Sequence, residues 1–253
     1  MEVTLLDMLK SGVHFGHQTE RWHPKMKQYI FGSRAGVHII DLEKTLAKLA
    51  EAQDFVKKLS SEGKTVLFVA TKRQAKDIIK KYADDCGMPY LVERWIGGFL
   101  TNFGIVSKNM QRLRKLKADF KSGEMAKYKK HEQMEFQAEI DRLQFLVGGV
   151  ENMETSPDAL FIVDIKKEST AVAEAKKKGI PVIALVDTNT NPQDIDYPIP
   201  SNDDATKAID LMCAVIADAV KEGRKIKPAP KEELKTAKKE PEAKPKEEVK
   251  KEK

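Results

Sequence analysis

Between Val13 and Thr45 the chain sets cations among rings and glycines in a way that suits a folded polyanion better than a small substrate. Arg21, Lys25, Lys27 and Arg34 can neutralise phosphates, while Phe15, Trp22, Tyr29 and Phe31 offer flat faces on which unpaired bases stack. Gly12, Gly16, Gly32 and Gly36 punctuate the stretch, so its backbone can turn tightly and approach a partner closely. The rings serve equally well as core side chains, since buried aromatics are common. Further cations stand at Lys72 and Arg73, where a helix start could meet a phosphate, and in a dense run of Lys108, Arg112, Arg114, Lys115, Lys117 and Lys121 against the single Asp119.

Catalytic chemistry is harder to assemble. No G-x-G-x-x-G or G-x-x-x-x-G-K-[ST] occurs in the chain, and Thr71-Lys72-Arg73 stands after the first apolar strand where a phosphate loop or a paired acid would be needed. Asp164, Asp187 and the pair Asp203-Asp204 fall at the carboxyl ends of strands, where an open α/β sheet forms its ligand crevice. They could hold Mg²⁺ there, as in a Mg-dependent enzyme or a phosphoacceptor switch, or they could cap helices and face a protein partner. Capping and partner binding fit better, because Asp after a strand is a favoured N-cap and Asp203-Asp204 precedes a clear helical pattern. His14 and His17, with His23 and His38 nearby, are of a type that zinc accepts, but no cysteine lies near enough in sequence to complete the set. No catalytic residue and no metal site is assigned, and no cofactor is required; Mg²⁺ and Zn²⁺ are the structural ions these residue types would suit.

The 253 residues carry a net charge of +6, which conceals an uneven distribution. Residues 1–150 hold 26 Lys/Arg against 18 Asp/Glu, residues 151–220 hold 6 against 13, and residues 221–253 hold 13 against 8. One part of the molecule is therefore built for polyanions and another to avoid them. Cys86 and Cys213 lie far apart in apolar helical patterns, as free thiols of a reducing compartment do. No basic region with a following apolar run opens the chain and no stretch nears about 20 apolar residues, so a cytoplasmic protein without a membrane partner is expected.

Positioning these residues requires a sheet. Val66 to Ala70, Leu160 to Ile165 and Pro181 to Asp187 are near-continuous apolar runs, the signature of parallel strands covered on both faces; His38 to Asp41 and Tyr90 to Glu93 are shorter strand candidates. Helical spacing recurs in Leu42, Leu46, Leu49, Val56 and Leu59, in Ala75, Ile78, Ile79 and Tyr82, and in Ile209, Met212, Cys213, Ile216 and Val220. The alternation predicts a doubly wound α/β domain over residues 1–104 and 151–225. Residues 105–150 carry two narrow apolar stripes, Val106 to Phe120 and Met125 to Val147, separated by Lys121-Ser122-Gly123, which predicts an inserted antiparallel helical hairpin projecting from the sheet. The segment 226–253 is nearly devoid of apolar residues and reads as a disordered charged tail.

The runs HFGHQ and WHPKMKQYIFG between His14 and Gly32, HIIDLEKT at 38–45, TKRQA at 71–75, RWIGGFLTNF at 94–103 and IDYPIPSNDDA at 195–205 closely resemble the second small-subunit ribosomal protein family of bacteria. The resemblance spans almost all of residues 1–225, with several long motifs in the right order. It implies a flavodoxin-like doubly wound parallel sheet with an inserted antiparallel coiled-coil hairpin, and a structural, non-enzymatic role on the ribosome in the cytoplasm. Its implied partners are small-subunit rRNA and neighbouring small-subunit proteins, among them the large mRNA-binding ribosomal protein, and no homo-oligomer is implied. By position, Arg21, Trp22, Lys25, Lys27, Arg34, Lys72, Arg73 and Arg94 are the residues it places against rRNA; the charge run adds Lys108, Arg112, Arg114 and Lys115. Asp187, Asp203 and Asp204 are left for a protein partner or a cation. His23 and Ala35 stand where Asn is frequent in that family, Ser201 where Gly is, and Val147 where Leu is; none of these removes a cation.

Overall fold

The computed structural model describes residues 3–226, so all but Ile226 of the charged tail expected over 226–253 lies outside the described residues. A short helix α1 (Leu5–Ser11) opens the chain, held by a reciprocal cap between Thr4 and Asp7. Strand β1 (Phe15–Gln18), two 3₁₀ turns (Thr19–Arg21 and Pro24–Tyr29), and strands β2 (Ile30–Arg34) and β3 (Val37–Ile40) follow. These three strands form a small antiparallel sheet with β3 in the middle. Helix α2 (Leu42–Ser61), capped by the Asp41 carboxylate, leads into the main domain.

The main sheet comprises β4 (Val66–Val69), β5 (Tyr90–Leu91), β6 (Ala159–Val163), β7 (Val182–Val186) and β8 (Tyr197–Pro200), all parallel, in the order β5-β4-β6-β7-β8. Counted within the sheet this is 2-1-3-4-5, the order of flavodoxin-like sheets, whose switch point lies between the first and third strands. The connections are α3 (Lys76–Cys86), then α4 (Phe103–Lys121) with α5 (Lys130–Val147), then α6 (Ser169–Lys178); α7 (Thr206–Lys225) closes the domain.

Two apolar layers explain why the strands do not alternate. Phe68, Phe161, Leu185 and Ile199 point to one face, where α2, α3 and α7 cover them. Leu67, Val69, Leu160, Ile162 and Ala184 point to the other, against α4, α5, α6 and the 3₁₀ turn Pro24–Tyr29. Every residue of β4, β6 and β7 is buried. Cys86 and Cys213 are buried free thiols, as expected.

Helices α4 and α5 depart from the expectation in one respect. Their buried side chains, Val106, Met110, Leu113, Leu116, Ile140, Leu143 and Val147, belong to the same apolar cluster as the second sheet face. With α6 only ten residues long, that face needs the additional cover, so the stripes serve the sheet as well as each other. The break between them falls where the sequence placed it, with Gly123 at φ 78° after α4 ends.

The strand expected at His38 to Asp41 is β3, but α1, β1, β2, the proline-bearing β8 and the short helix α6 were not visible in the sequence patterns. The β2–β3 hairpin turns on two residues, Ala35 and Gly36, at φ 51° and 76°. Both positive values are what a type I′ turn needs, and Ala is poorly suited to the first. Ala35→Asn should therefore stabilise the protein by about 1 kcal/mol, since Asn tolerates the left-handed region that costs Ala roughly that much. Urea unfolding of the two proteins checks it, and an unchanged midpoint would show the turn to be unstrained.

Candidate nucleic-acid interface

The N-terminal segment reaches the main sheet through hydrogen bonds to the residues just past β7 and β8. The Thr188 hydroxyl accepts from the His17 N–H at 2.8 Å, and the Thr188 carbonyl accepts from the His23 N–H at 2.8 Å. Asn202 donates its backbone N–H to Val13 O at 3.0 Å and its side-chain amide to Phe15 O at 2.7 Å. Gly16 permits this approach: a Cβ there would sit 2.5 Å from Thr188 Cγ2.

Once anchored, the segment turns its cations outward. In the turn Pro24–Tyr29, Met26 and Tyr29 are three apart and both buried in the second core layer, which leaves Lys25 and Lys27, on either side of Met26, exposed. The His23 imidazole accepts the Lys25 N–H at 3.2 Å and caps the turn, and Lys44 Nζ donates to Gln28 O at 2.7 Å at its end. Arg21 and Arg34 are exposed as well, and among the described residues none of these four cations is ion-paired. The rings divide. Tyr29 is core, Trp22 is one-third exposed with its ring 5.3 Å from that of His38, and Phe15 is half-exposed. Phe31 is the extra residue of a bulge between Ile30 and Gly32 and is 78% exposed, so it does not fasten the segment.

The acidic strand ends converge, but inward. Lys72, directly after β4, places its ammonium 2.6 Å from Asp203, 2.7 Å from Asp204 and 3.4 Å from Asp164. Asp187 meets His17 Nδ1 at 3.0 Å, and the Asp204 carboxylate lies 3.5 Å from His17 Nε2. Beside them Lys167 Nζ donates to Thr71 O at 2.9 Å, and the Thr71 N–H and hydroxyl donate to Glu168. The crevice between β4 and β6, where such sheets take ligands, is thus filled by the chain's own charges.

Several expectations are corrected here. Lys72 is spent on carboxylates and does not reach outward to a phosphate. Asp187 and Asp203 are almost fully buried and leave only Asp204 exposed to a partner. Neither Asp203 nor Asp204 caps α7, whose N-cap residue is Ala205; the Asn202 side chain braces the turn before it, accepting from the Asp204 and Ala205 N–H groups at 2.8 and 2.7 Å. The cation at the acids is Lys72. Among the described residues no group of three or more His, Cys, Asp or Glu side chains is arranged to hold a metal.

The environment moves the titrations. Burial first, then Asp187 and Asp164, push the Asp203 carboxyl up to about 7 against the opposing pull of Lys72. Burial works against the Lys72 charge, but Asp203, Asp204 and Asp164 more than offset it and hold the ammonium above its ordinary value. The Asp187 hydrogen bond raises His17, whereas burial lowers His14.

Arg94 is exposed at the start of a loop that one buried carboxylate organises. Glu174, on α6, accepts from Trp95 Nε1 at 3.1 Å, from the Gly98, Leu100 and Thr101 N–H groups at 2.7, 3.0 and 3.2 Å, and from the Thr101 hydroxyl at 3.3 Å. Burial pushes this carboxyl up, but the donors outweigh it and hold it below the usual range. Residues 95–101 have no regular structure of their own, and sequence reasoning missed Glu174 because nothing local marks it.

On α4 the charge run is partly consumed. Arg112 makes two hydrogen bonds to Glu139 on α5, at 3.1 and 2.9 Å, and Lys117 pairs with Glu151. Lys108 and Lys115 stay exposed and Arg114 partly so, as does Arg73 at the start of α3, and none of these is ion-paired among the described residues. The arrangement offers outward, rigidly mounted cations beside exposed rings, which suits phosphates and unpaired bases.

A family model described as ribosomal protein S2 matches residues 8–223. The small ribosomal subunit protein uS2 of Coprothermobacter proteolyticus is 51% identical over 222 residues, which cover 88% of this chain and 83% of that protein.

Two substitutions test the internal charges. Because Asp203 sits at about 7, above its ordinary 3.8, its protonation favours folding; that contribution is complete below the ordinary value and is lost as pH rises through about 7. Above that point Lys72 is what offsets the buried charges, so Lys72→Met should cost about 3 kcal/mol at about pH 8 and much less at about pH 5, read from urea unfolding at each pH. A penalty independent of pH would refute the role given to Lys72. Glu174→Gln turns an amide donor toward backbone N–H groups and should cost about 2 kcal/mol, with a change in Trp95 emission as its indole loses a charged acceptor.

Proposed function

Because this chain belongs to the ribosomal protein S2 family, we propose that its outward N-terminal cations bind small-subunit rRNA and fix it in place on the particle. The chain is a structural constituent of the small ribosomal subunit and not an enzyme. Its task is positioning, without turnover. The observation that carries the RNA reading is the mounting of Arg21, Lys25 and Lys27: exposed, unpaired among the described residues, and tied to the β7 and β8 ends by the bonds at Thr188 and Asn202. Cations on a fixed backbone lose little freedom when phosphates arrive, which favours recognition of folded RNA shape.

Trp22, Arg34, Arg73 and Arg94 extend this surface, with Lys108, Arg114 and Lys115 contributing from α4. Lys72 and Arg112 we assign to internal ion pairs. The block 151–220 carries the acidic excess, and we place neighbouring proteins, including the large mRNA-binding ribosomal protein, at Asp204, the acid of the strand-end cluster left exposed. We read 1–104 with 151–225 as one flavodoxin-like domain and 105–150 as an inserted helical hairpin, since α4 and α5 stand where a single crossover helix would suffice. The protein works as one copy on ribosomes in the cytoplasm, and no helix among the described residues is long and apolar enough to cross a membrane. The alternative, a Mg²⁺-dependent enzyme or phosphoacceptor switch, has its crevice filled by Lys72.

Reversing Arg21, Lys25 and Lys27 together to Glu should keep the protein out of small-subunit fractions in a sucrose gradient while its thermal unfolding stays at wild type, since all three side chains are exposed. For the isolated protein on rRNA, log affinity should fall with log salt by about 0.9 per phosphate contacted, with the slope smaller in the triple variant. Wild-type co-sedimentation of the variant would show that the docking surface lies elsewhere.

A further inference from the structure

A cavity of about 370 Å³ opens at the carboxyl edge of the main sheet, between the start of α6 and the loop that follows β7. It lies outside the ion cluster and next to the docked N-terminal segment, because the Thr188 carbonyl that holds His23 immediately precedes its wall. Ile165, Val172 and Ala173 form an apolar floor, and Asn189 and Asn191 stand at the other side. The loop is stiff: Thr190 donates its hydroxyl to Asp187 O at 2.8 Å, and Asn191 accepts the Gln193 N–H at 3.2 Å and donates its amide to Asp194 at 2.7 Å. Asn189 keeps its buried side-chain carbonyl oxygen without a hydrogen-bond partner, while its amide nitrogen lies 3.0 Å from His17 Nε2.

The rim carries one unpaired cation and one ion pair. Lys166 is exposed and not ion-paired among the described residues, and Lys176 closes the far side in an ion pair with Asp194. The last turn of α6 continues with Lys177 and Lys178. Lys25 lies near enough to Asp194 to help lower its carboxyl, after the larger effects of Lys176 and Asn191, so the RNA-facing turn and the cavity share one electrostatic neighbourhood.

An apolar slot walled by amides, with the Lys166 ammonium unpaired at its rim and the Lys176–Asp194 pair closing the far side, suits a flat heterocycle carrying hydrogen-bonding edges on an anionic backbone. Resting on the reading of this chain as an rRNA-binding protein, we propose that the cavity receives one unpaired nucleobase extruded from the rRNA. The base lies against Val172 and Ala173, its edge meets Asn189, and Lys166 takes an adjacent phosphate. Unpaired, splayed bases are the part of RNA that proteins read most readily, and a slot of this kind adds selectivity for a bulge or loop that phosphate contacts do not supply.

Ala173 is exposed on α6, so the slot can be narrowed without disturbing the core. Ala173→Leu adds volume and neither charge nor ring; Ala173→Ser keeps the slot open and serves as the control. The probe is deproteinised small-subunit rRNA, titrated with each full-length protein at several salt concentrations. Ala173→Leu should weaken binding about fivefold with an unchanged salt slope, at the low end of what loss of one stacked base costs, whereas Lys166→Ala should reduce the slope by about one. Ala173→Ser should bind as wild type. If Ala173→Leu also binds as wild type, no base enters the slot and the inference is overturned while the RNA reading stands. Wild-type protein that fails to bind the rRNA overturns both.

Discussion

The carboxyl edge of the main sheet has to be closed, and its closure by Lys72 is the interaction on which the remaining architecture depends. A 2-1-3-4-5 parallel sheet leaves a gap at its switch point, where the helices on either side diverge. In this protein four strand ends deliver Lys72, Asp164, Asp187 and Asp203-Asp204 to that gap, and one ammonium satisfies three carboxylates there. Charges so well buried are not a source of stability in themselves, since their desolvation offsets much of their attraction. What they provide is a defined geometry. With the edge closed, Asp187 is held where His17 can meet it, and Thr188 and Asn202 are held where the N-terminal backbone can dock.

Docking turns a basic sequence into a basic surface. Without it, residues 13–34 would be a chain with too little apolar content to order itself. With it, two side chains of the turn Pro24–Tyr29 enter the core, and the three-residue period sends the lysines flanking Met26 the other way. The close approach at Gly16, the hydrogen bonds at Thr188 and Asn202, and the burial of Met26 and Tyr29 all act on the backbone or the apolar side chains, so the cations are left unencumbered. The loop at residues 95–101 follows the same logic from the opposite direction. There a buried carboxylate gathers backbone donors that have no strand or helix to satisfy them, and Arg94 is carried on the result.

The parts of this fold that the sequence makes legible are those whose signal is local and repeated. Strands β4, β6 and β7 are buried on both faces and read as unbroken apolar runs; α2, α3 and α7 carry long helical stripes. Strand β8, with sequence YPIP, has two prolines and a half-buried first half, so neither alternation nor a run marks it. Strands β1 and β2 are both interrupted by bulges, which destroys the two-residue period that would reveal them. Helix α6 is short and rich in Ala and Lys, and its most consequential residue, Glu174, finds its donors more than seventy positions away. The candidate site divides in the same way: residue type told which groups are cations, whereas only the folded arrangement tells which of them are already paired.

That last distinction changes what a charge census means for RNA binding. Lys72, Arg112, Lys117 and Lys176 count as four positive charges in the sequence, but each faces a carboxylate of its own chain. A phosphate arriving at such a group must first displace the acid, and the net gain in counterion release is small. The cations that contribute most are those not held in an ion pair among the described residues, chiefly Arg21, Lys25, Lys27, Arg34, Arg73 and Arg94. They lie on the segment that the closed edge holds in place, on the α3 start that follows Lys72, and on the loop that Glu174 gathers. The buried acids of the acidic block therefore do more than stay away from RNA: by engaging Lys72 and by anchoring His17, they decide which cations of the basic half face it.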